Sequence, residues 1–165
     1  MKLAAFTAPD APNEERAGFL VSDGRLADVR AAYSAMLAGD TSAQEAGRSL
    51  PPSDLAGIIQ DGSPALDVLK ILQERLESDL DKGKEFSQAA GQTILFPQNE
   101  VTFLPPVPRP GKIIALGMNY KDHLDEGGDV HHAPIFPMAF IKVSTTLTGH
   151  LQPIQIPRGS TQGDY

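Results

Sequence analysis

The chain has 165 residues, 41% hydrophobic and 21% charged, with a formal net charge of −7, an ordinary composition for a globular protein. The acidic balance argues against nucleic acid as the main partner, because phosphate binding needs a basic surface, and no apolar run is long enough to cross a bilayer. With no cysteine, disulfides and thiolate chemistry are excluded, which fits a reducing cytoplasm.

The opening residues, Met1 to Phe6, resemble the start of a signal peptide. Pro9, Asp10, Glu14 and Glu15 arrive before an apolar core is complete, so the segment reads as a first strand. Ala17–Val21 reads as a second strand. Ser22-Asp23-Gly24 is a hairpin signal, with Arg25–Ala27 as the return strand. Asp28 can cap a helix from Val29 to about Ala38, with Val29, Tyr33, Met36 and Leu37 at helical spacing and Gly39 as its stop. Residues 40–53 are polar and turn-rich and end in Pro51-Pro52.

Asp54 can cap a short helix with Leu55, Ile58 and Ile59 on one side, ended by Asp61-Gly62. Ser63-Pro64 then suits a helix start, with serine at the cap and proline at the first helical position. Leu66, Leu69, Leu72 and Leu76 give this helix an apolar face, and Glu77, Asp79, Lys82 and Lys84 form its solvated end. Nine of the fourteen prolines lie after residue 96. That shift marks a boundary near residue 100, between a small N-terminal α/β domain over residues 1–100 and a region of short strands and turns over residues 101–165. The fold class is α+β.

Chemistry concentrates in the second region. Lys112–Leu116 reads as a short buried strand, and Gly117 and Asn119 turn the chain out of it, with Tyr120 packing beside the turn. His123 and Glu126 then stand three apart in what should be one helical turn, so they share a face. A carboxylate beside an imidazole orients the ring and stabilises its charged form. Such a pair can take a proton from water and return it to a leaving group, although the same spacing occurs on many solvated helices.

Gly127-Gly128-Asp129-Val130-His131-His132 invites a metal reading. Adjacent histidines on an extended segment point opposite ways, and no further His or Cys stands nearby at ligand spacing. A loop hinged at its two glycines is the better account. Asp122 and Asp125 flank the pair and can add negative charge, although helix geometry turns Asp125 away from His123, and His150 stands in a turn as a structural residue. Lys142 follows the strand Met138–Ile141, where an edge-strand lysine also discourages aggregation.

The order of blocks extends the reading. Phe103-Leu104-Pro105-Pro106-Val107-Pro108-Arg109-Pro110-Gly111-Lys112 precedes Gly117–Glu126. Pro134–Lys142, Thr148-Gly149, Ile154-Gln155-Ile156-Pro157 and Gly163-Asp164-Tyr165 follow. This succession resembles the fumarylacetoacetate hydrolase family, in detail over residues 101–165 and more loosely over residues 1–100.

The resemblance implies that His123 is a general base acting on water and that Glu126 polarises it. It implies that Asn119 and Lys142 lie near the substrate, and that Gly127, Gly128, His131 and His132 belong to a lid that closes over it. In the family, a Glu-x-Glu pair directly after a segment like Gly163–Tyr165, and a later Asp, hold the catalytic divalent ion. No metal ligand is therefore expected in this chain. An all-carboxylate site favours a hard cation, Mg²⁺ first, with Mn²⁺ or Ca²⁺ as substitutes.

Residues 101–165 would then begin a mainly-β catalytic domain that this chain leaves incomplete. Residues 112–165 alone would expose strand edges and apolar faces. The expected partners are a small 2-oxo or β-dicarbonyl acid, the remaining C-terminal half of the enzyme and a second subunit, with no nucleic acid and no membrane. The implied reaction is metal-dependent hydrolysis of a carbon–carbon bond. Decarboxylation, isomerisation or hydration of 2-hydroxy-dienoic acids in aromatic catabolism are the alternatives on the same site. A reading of another class is a truncated, inactive chain that serves only assembly.

Overall fold

The computed structural model describes residues 1–36, 50–86, 88–89, 91–120 and 135–161. It has helices together with antiparallel sheets, a mixed α+β fold, in two compact units. One is residues 1–107 with the segment from Thr148 onward, and the other is residues 108–147.

The first unit is built on a five-stranded antiparallel sheet. Its strands are β1 (Leu3–Ala8), β2 (Ala11–Leu20), β3 (Leu26–Asp28), β6 (Leu95–Phe96) and β7 (Thr102–Phe103), in the order β6-β3-β2-β1-β7. A small separate hairpin pairs β4 (Gln88–Ala89) with β5 (Gln92–Thr93). The helices are α1 (Val29–Met36), α2 (Leu55–Asp61) and α3 (Ser63–Asp81).

Period-two alternation divides the sheet's side chains between two layers. Ala5, Ala17, Phe19 and Ala27 face the helices and join Leu69, Leu72 and Leu76 of α3 in the main core. Phe6, Leu26 and Phe96 point the other way, into a smaller cluster bordered by Val101 and Phe103. The Phe6 and Phe96 rings meet edge to face at 5.8 Å, a favoured aromatic geometry. Gly18 lies between Phe6 and Leu26, where an added Cβ would come within 2.9 Å of both side chains.

The hairpin signal at Ser22-Asp23-Gly24 forms, with the Val21 N–H donating to the Arg25 carbonyl at 3.0 Å. The return strand sits one residue later than the turn residues suggest, at Leu26–Asp28. Asp28 ends that strand and caps α1, its Oδ1 accepting from the Ala31 N–H at 2.8 Å. The end expected for this helix, beyond Met36, lies outside the described residues.

Asp54 caps α2 through the Gly57 N–H at 2.7 Å. Asp54→Ala should cost about 1 kcal/mol of stability, the usual loss of an N-cap carboxylate, read as a lower denaturation midpoint at unchanged slope. Leu55 and Ile58 of α2 are buried, but Ile59 is 60% exposed. It does not share their face, because one residue advances about 100° around a helix.

At α3 the expected cap is displaced by one position. Gly62 is the N-cap, Ser63 is already helical and Pro64 falls in the first turn. Pro64 still suits the site, since the N–H it lacks would have had no intrahelical acceptor. The other end closes as a Schellman motif, with the Gly83 N–H donating to Leu80 and the Lys84 N–H to Asp79. Gly83 takes φ 77° there, a conformation glycine adopts without a Cβ clash.

An ion cluster centred on the buried pair Arg16 and Asp28 braces the second layer, with Asp10 and Glu14 at its exposed edge. Arg16, 6% exposed, lies 3.2 Å from Asp10, 3.6 Å from Asp28 and 3.7 Å from Glu14, with its guanidinium 6.0 Å from the Phe96 ring centre. Burial pushes the Asp28 carboxyl above its ordinary value of 3.8, against the pull of the Ala31 N–H and Arg16.

A carboxyl raised on folding favours the folded state below its unfolded value, and that contribution is lost as pH rises through the folded value. The stability of the wild type relative to Asp28→Asn should therefore fall as pH rises upward from 3.8. Urea titrations of both proteins across that window check it. A difference that grows with pH would assign Asp28 the opposite shift.

Candidate functional site

The second unit carries the strand from which the candidate catalytic segment departs. β8 (Ile113–Gly117) pairs antiparallel with β9 (Met138–Lys142), in a register running from Ile113↔Lys142 to Gly117↔Met138. The expected strand at residues 112–116 thus forms, one residue later. On one face of this ribbon, Ile114 and Leu116 oppose Ile141 and Ala139. On the other, Ile113, Ala115 and Gly117 oppose Lys142, Phe140 and Met138.

Both faces are thus largely apolar, the pattern of a strand meant to be covered on two sides. The ribbon is not buried as the sequence suggests. Ile114 is 65% exposed, Ile141 73% and Phe140 48%.

Gly117 closes β8, and the chain turns out through Met118 to Asn119 and Tyr120, both exposed. Met118 is in the left-handed region at φ 52°. The sequence announces a turn here through Gly117 and Asn119, but nothing in it marks the methionine between them as the left-handed residue.

His123 and Glu126 lie outside the described residues, as do Gly127, Gly128, His131 and His132. Lys142 is exposed at the end of β9, opposite Ile113. That is the far end of the ribbon from Gly117. With about 3.4 Å per antiparallel residue, its backbone stands roughly 14 Å from the strand exit. Asn119 and Lys142 thus flank opposite ends of one short ribbon.

His150 stands in a turn of the first unit, its ring meeting Phe103 edge to face at 6.1 Å, in keeping with a structural role. Beside it, Gly149 lies against the backbone of Phe103 and Leu104 so closely that a Cβ would overlap the Phe103 carbonyl.

Among the described residues, no group of three or more His, Cys, Asp or Glu side chains could hold a metal ion. This part of the chain therefore does not fit a divalent centre by itself. A cavity of about 520 Å³ opens between the ends of α1 and α3, lined by Met36, Arg75, Asp79, Lys84 and Phe86 among others. Several of its charges are engaged locally. Lys84 Nζ lies 2.8 Å from Asp79, and Arg75 donates to the Met36 carbonyl at 3.4 Å. Lys84 holds the Asp79 carboxyl below its ordinary value. None of the residues singled out for chemistry lines it. No helix among the described residues is long and apolar enough to cross a membrane.

Comparison with known proteins places the second region. Residues 112–165 match the model of the fumarylacetoacetate (FAA) hydrolase C-terminal domain. The chain is 40% identical over 76 residues to the mitochondrial oxaloacetate tautomerase Fahd2a of Rattus norvegicus, and 37% identical over 76 residues to FAHD2A of Homo sapiens. Each match covers 46% of this chain and 24% of the relative. The corresponding protein of Xenopus laevis is 31% identical over 124 residues, covering 69% of this chain and 38% of the relative. The chain thus spans well under half the length of these relatives. The family match covers the ribbon, the turn at Met118 and the His123/Glu126 segment together, and by it residues 112–165 belong with the fumarylacetoacetate hydrolase family.

Proposed function

We propose that this chain supplies the N-terminal part of a metal-dependent enzyme that acts on a small 2-oxo or β-dicarbonyl acid. The observation that carries the reading is the family match over residues 112–165, which includes the whole of Gly117–Glu126. In this reading His123, oriented by Glu126, holds and moves the proton at the reacting centre. Asn119 contacts the substrate near the strand exit. Lys142, at the other end of the ribbon, meets a distal carboxylate. Gly127 and Gly128 hinge a lid that carries His131 and His132 toward the bound acid.

The divalent cation, Mg²⁺ with Mn²⁺ or Ca²⁺ as substitutes, requires carboxylates beyond this chain, so the remaining C-terminal half is the first partner. A homodimer of completed subunits is the proposed assembly. Residues 1–100 form the N-terminal domain, and residues 101–165 open the catalytic one.

Among the reactions open to such a site, enol–keto isomerisation gains support from relatives named oxaloacetate tautomerase. Carbon–carbon hydrolysis keeps the support of the His/Glu pair, which suits water activation. Both run through an enolate, which leaves in the hydrolysis and is protonated at carbon in the isomerisation, and both need a proton donor–acceptor beside it. The cytoplasm proposed from cysteine content gains no support from these relatives, whose names carry a mitochondrial designation.

The test is one assay series on the complete protein with Mg²⁺, following loss of the oxaloacetate enol and, separately, cleavage of an acylpyruvate. Turnover of either acid supports the enzyme reading and selects the reaction. A protein inert toward both, with and without the cation, would leave the assembly role in its place.

A further inference from the structure

Met118 and Leu151 are the described non-glycine residues with positive φ, at 52° and 61°. Leu151 belongs to a short turn in which the Gln152 N–H donates to the Gly149 carbonyl. Met118 is different, because it joins strand β8 to the residues proposed to do chemistry. A left-handed conformation brings Cβ too close to the following carbonyl, so only glycine and, less often, Asn or Asp adopt it routinely.

A glycine is available one position earlier. Gly117 remains the last paired residue of β8, opposite Met138, and its φ is not positive. A Cβ at Gly117 would approach Met138 and Phe140 no closer than 3.8 Å, which is ordinary contact. Those neighbours therefore do not require glycine at 117, and the left-handed residue stands on a methionine beside an unused glycine. Such strain persists where the surroundings over-determine it, and it clusters at active sites.

We propose that Met118 is a positioning residue. Its left-handed backbone, rather than its thioether side chain, sets the course on which the chain leaves β8 at Asn119. It thereby places Asn119, the substrate contact proposed above. This inference rests on the enzyme reading above.

Three variants of the complete protein test it, with kcat, KM and thermal midpoint read for each. Met118→Asn tolerates the left-handed region, and Met118→Ala keeps a Cβ while removing the thioether, so both should hold kcat within about twofold of wild type. Met118→Val is β-branched and a true outlier at positive φ. It should lower kcat by about tenfold or more with KM nearly unchanged, because displaced groups cost rate in the transition state. That split is not expected of a merely structural residue, whose loss lowers the midpoint without changing kcat of the folded enzyme.

A tenfold loss in the Asn or Ala variant would assign the effect to the side chain and overturn the proposal. So would a valine variant with wild-type kcat. Should the valine variant not fold, the Asn and Ala arms decide. A wild type with no turnover overturns this inference together with the enzyme reading, whereas an active wild type with an indifferent position 118 overturns this inference alone.

Discussion

His123→Ala in the complete protein is expected to lower turnover of its 2-oxo acid by about 10²-fold or more, the usual contribution of a positioned acid–base group. The loss should fall on kcat and on kcat/KM alike, since proton transfer is made in the transition state and not in ground-state binding. Rates are to be compared between proteins of equal thermal midpoint. Turnover within a few-fold of wild type would remove His123 from the chemistry and return the His/Glu spacing to a solvated helix face.

The second large effect is on stability. Phe19→Ala should cost about 3–5 kcal/mol, the range for deleting a fully buried aromatic ring. Phe19 is 0% exposed in β2, the middle strand of the five, and its ring enters the main core beneath the helices. Three neighbours in that core, Ala17, Ala27 and Ala32, are too small to close the space left behind. A domain of ordinary stability has only about 5–15 kcal/mol in total. Chemical denaturation of the 165-residue chain should show a much lower midpoint, or no folded baseline. A shift equivalent to less than about 1 kcal/mol would mean that the core collapses around the gap.

Much of the first unit was legible because its signals are local. Asp28 and Asp54 cap helices, Asp23-Gly24 makes a turn, and Leu69, Leu72 and Leu76 line one helical face; each is settled within a few residues of chain. The errors are also local in cause. Ser63 loses the cap to Gly62, and Ile59 turns outward because a short helix buries only a narrow stripe.

What the residues did not reveal is non-local. The two-residue strands Leu95–Phe96 and Thr102–Phe103 carry too little pattern to be seen alone, and they exist through pairing with β3 and β1. The hairpin of Gln88–Ala89 with Gln92–Thr93 has no hydrophobic alternation to announce it. In the candidate site the strand, the turn and the lysine were readable as types. The left-handed methionine was not, since conformational strain leaves no mark on residue identity. The apolar run of β8 correctly suggested a strand, but burial depends on what lies against it, and periodicity is silent on that.

The strand order has a kinetic consequence. β1, β2 and β3 form a meander closed by tight turns, which can zip within microseconds. Both outer strands of the sheet, β6 and β7, come from residues 95–103, with Phe6 pairing Phe103 and Leu26 pairing Phe96. A chain emerging from the ribosome would therefore hold a three-stranded sheet with two open edges while all of α1, α2 and α3 are made. Closing it means bridging a long loop, the kind of non-local step that sets folding rate. Residues 95–103 act as a clasp, and until it shuts, the open edges are where this protein is most exposed to pairing with another chain.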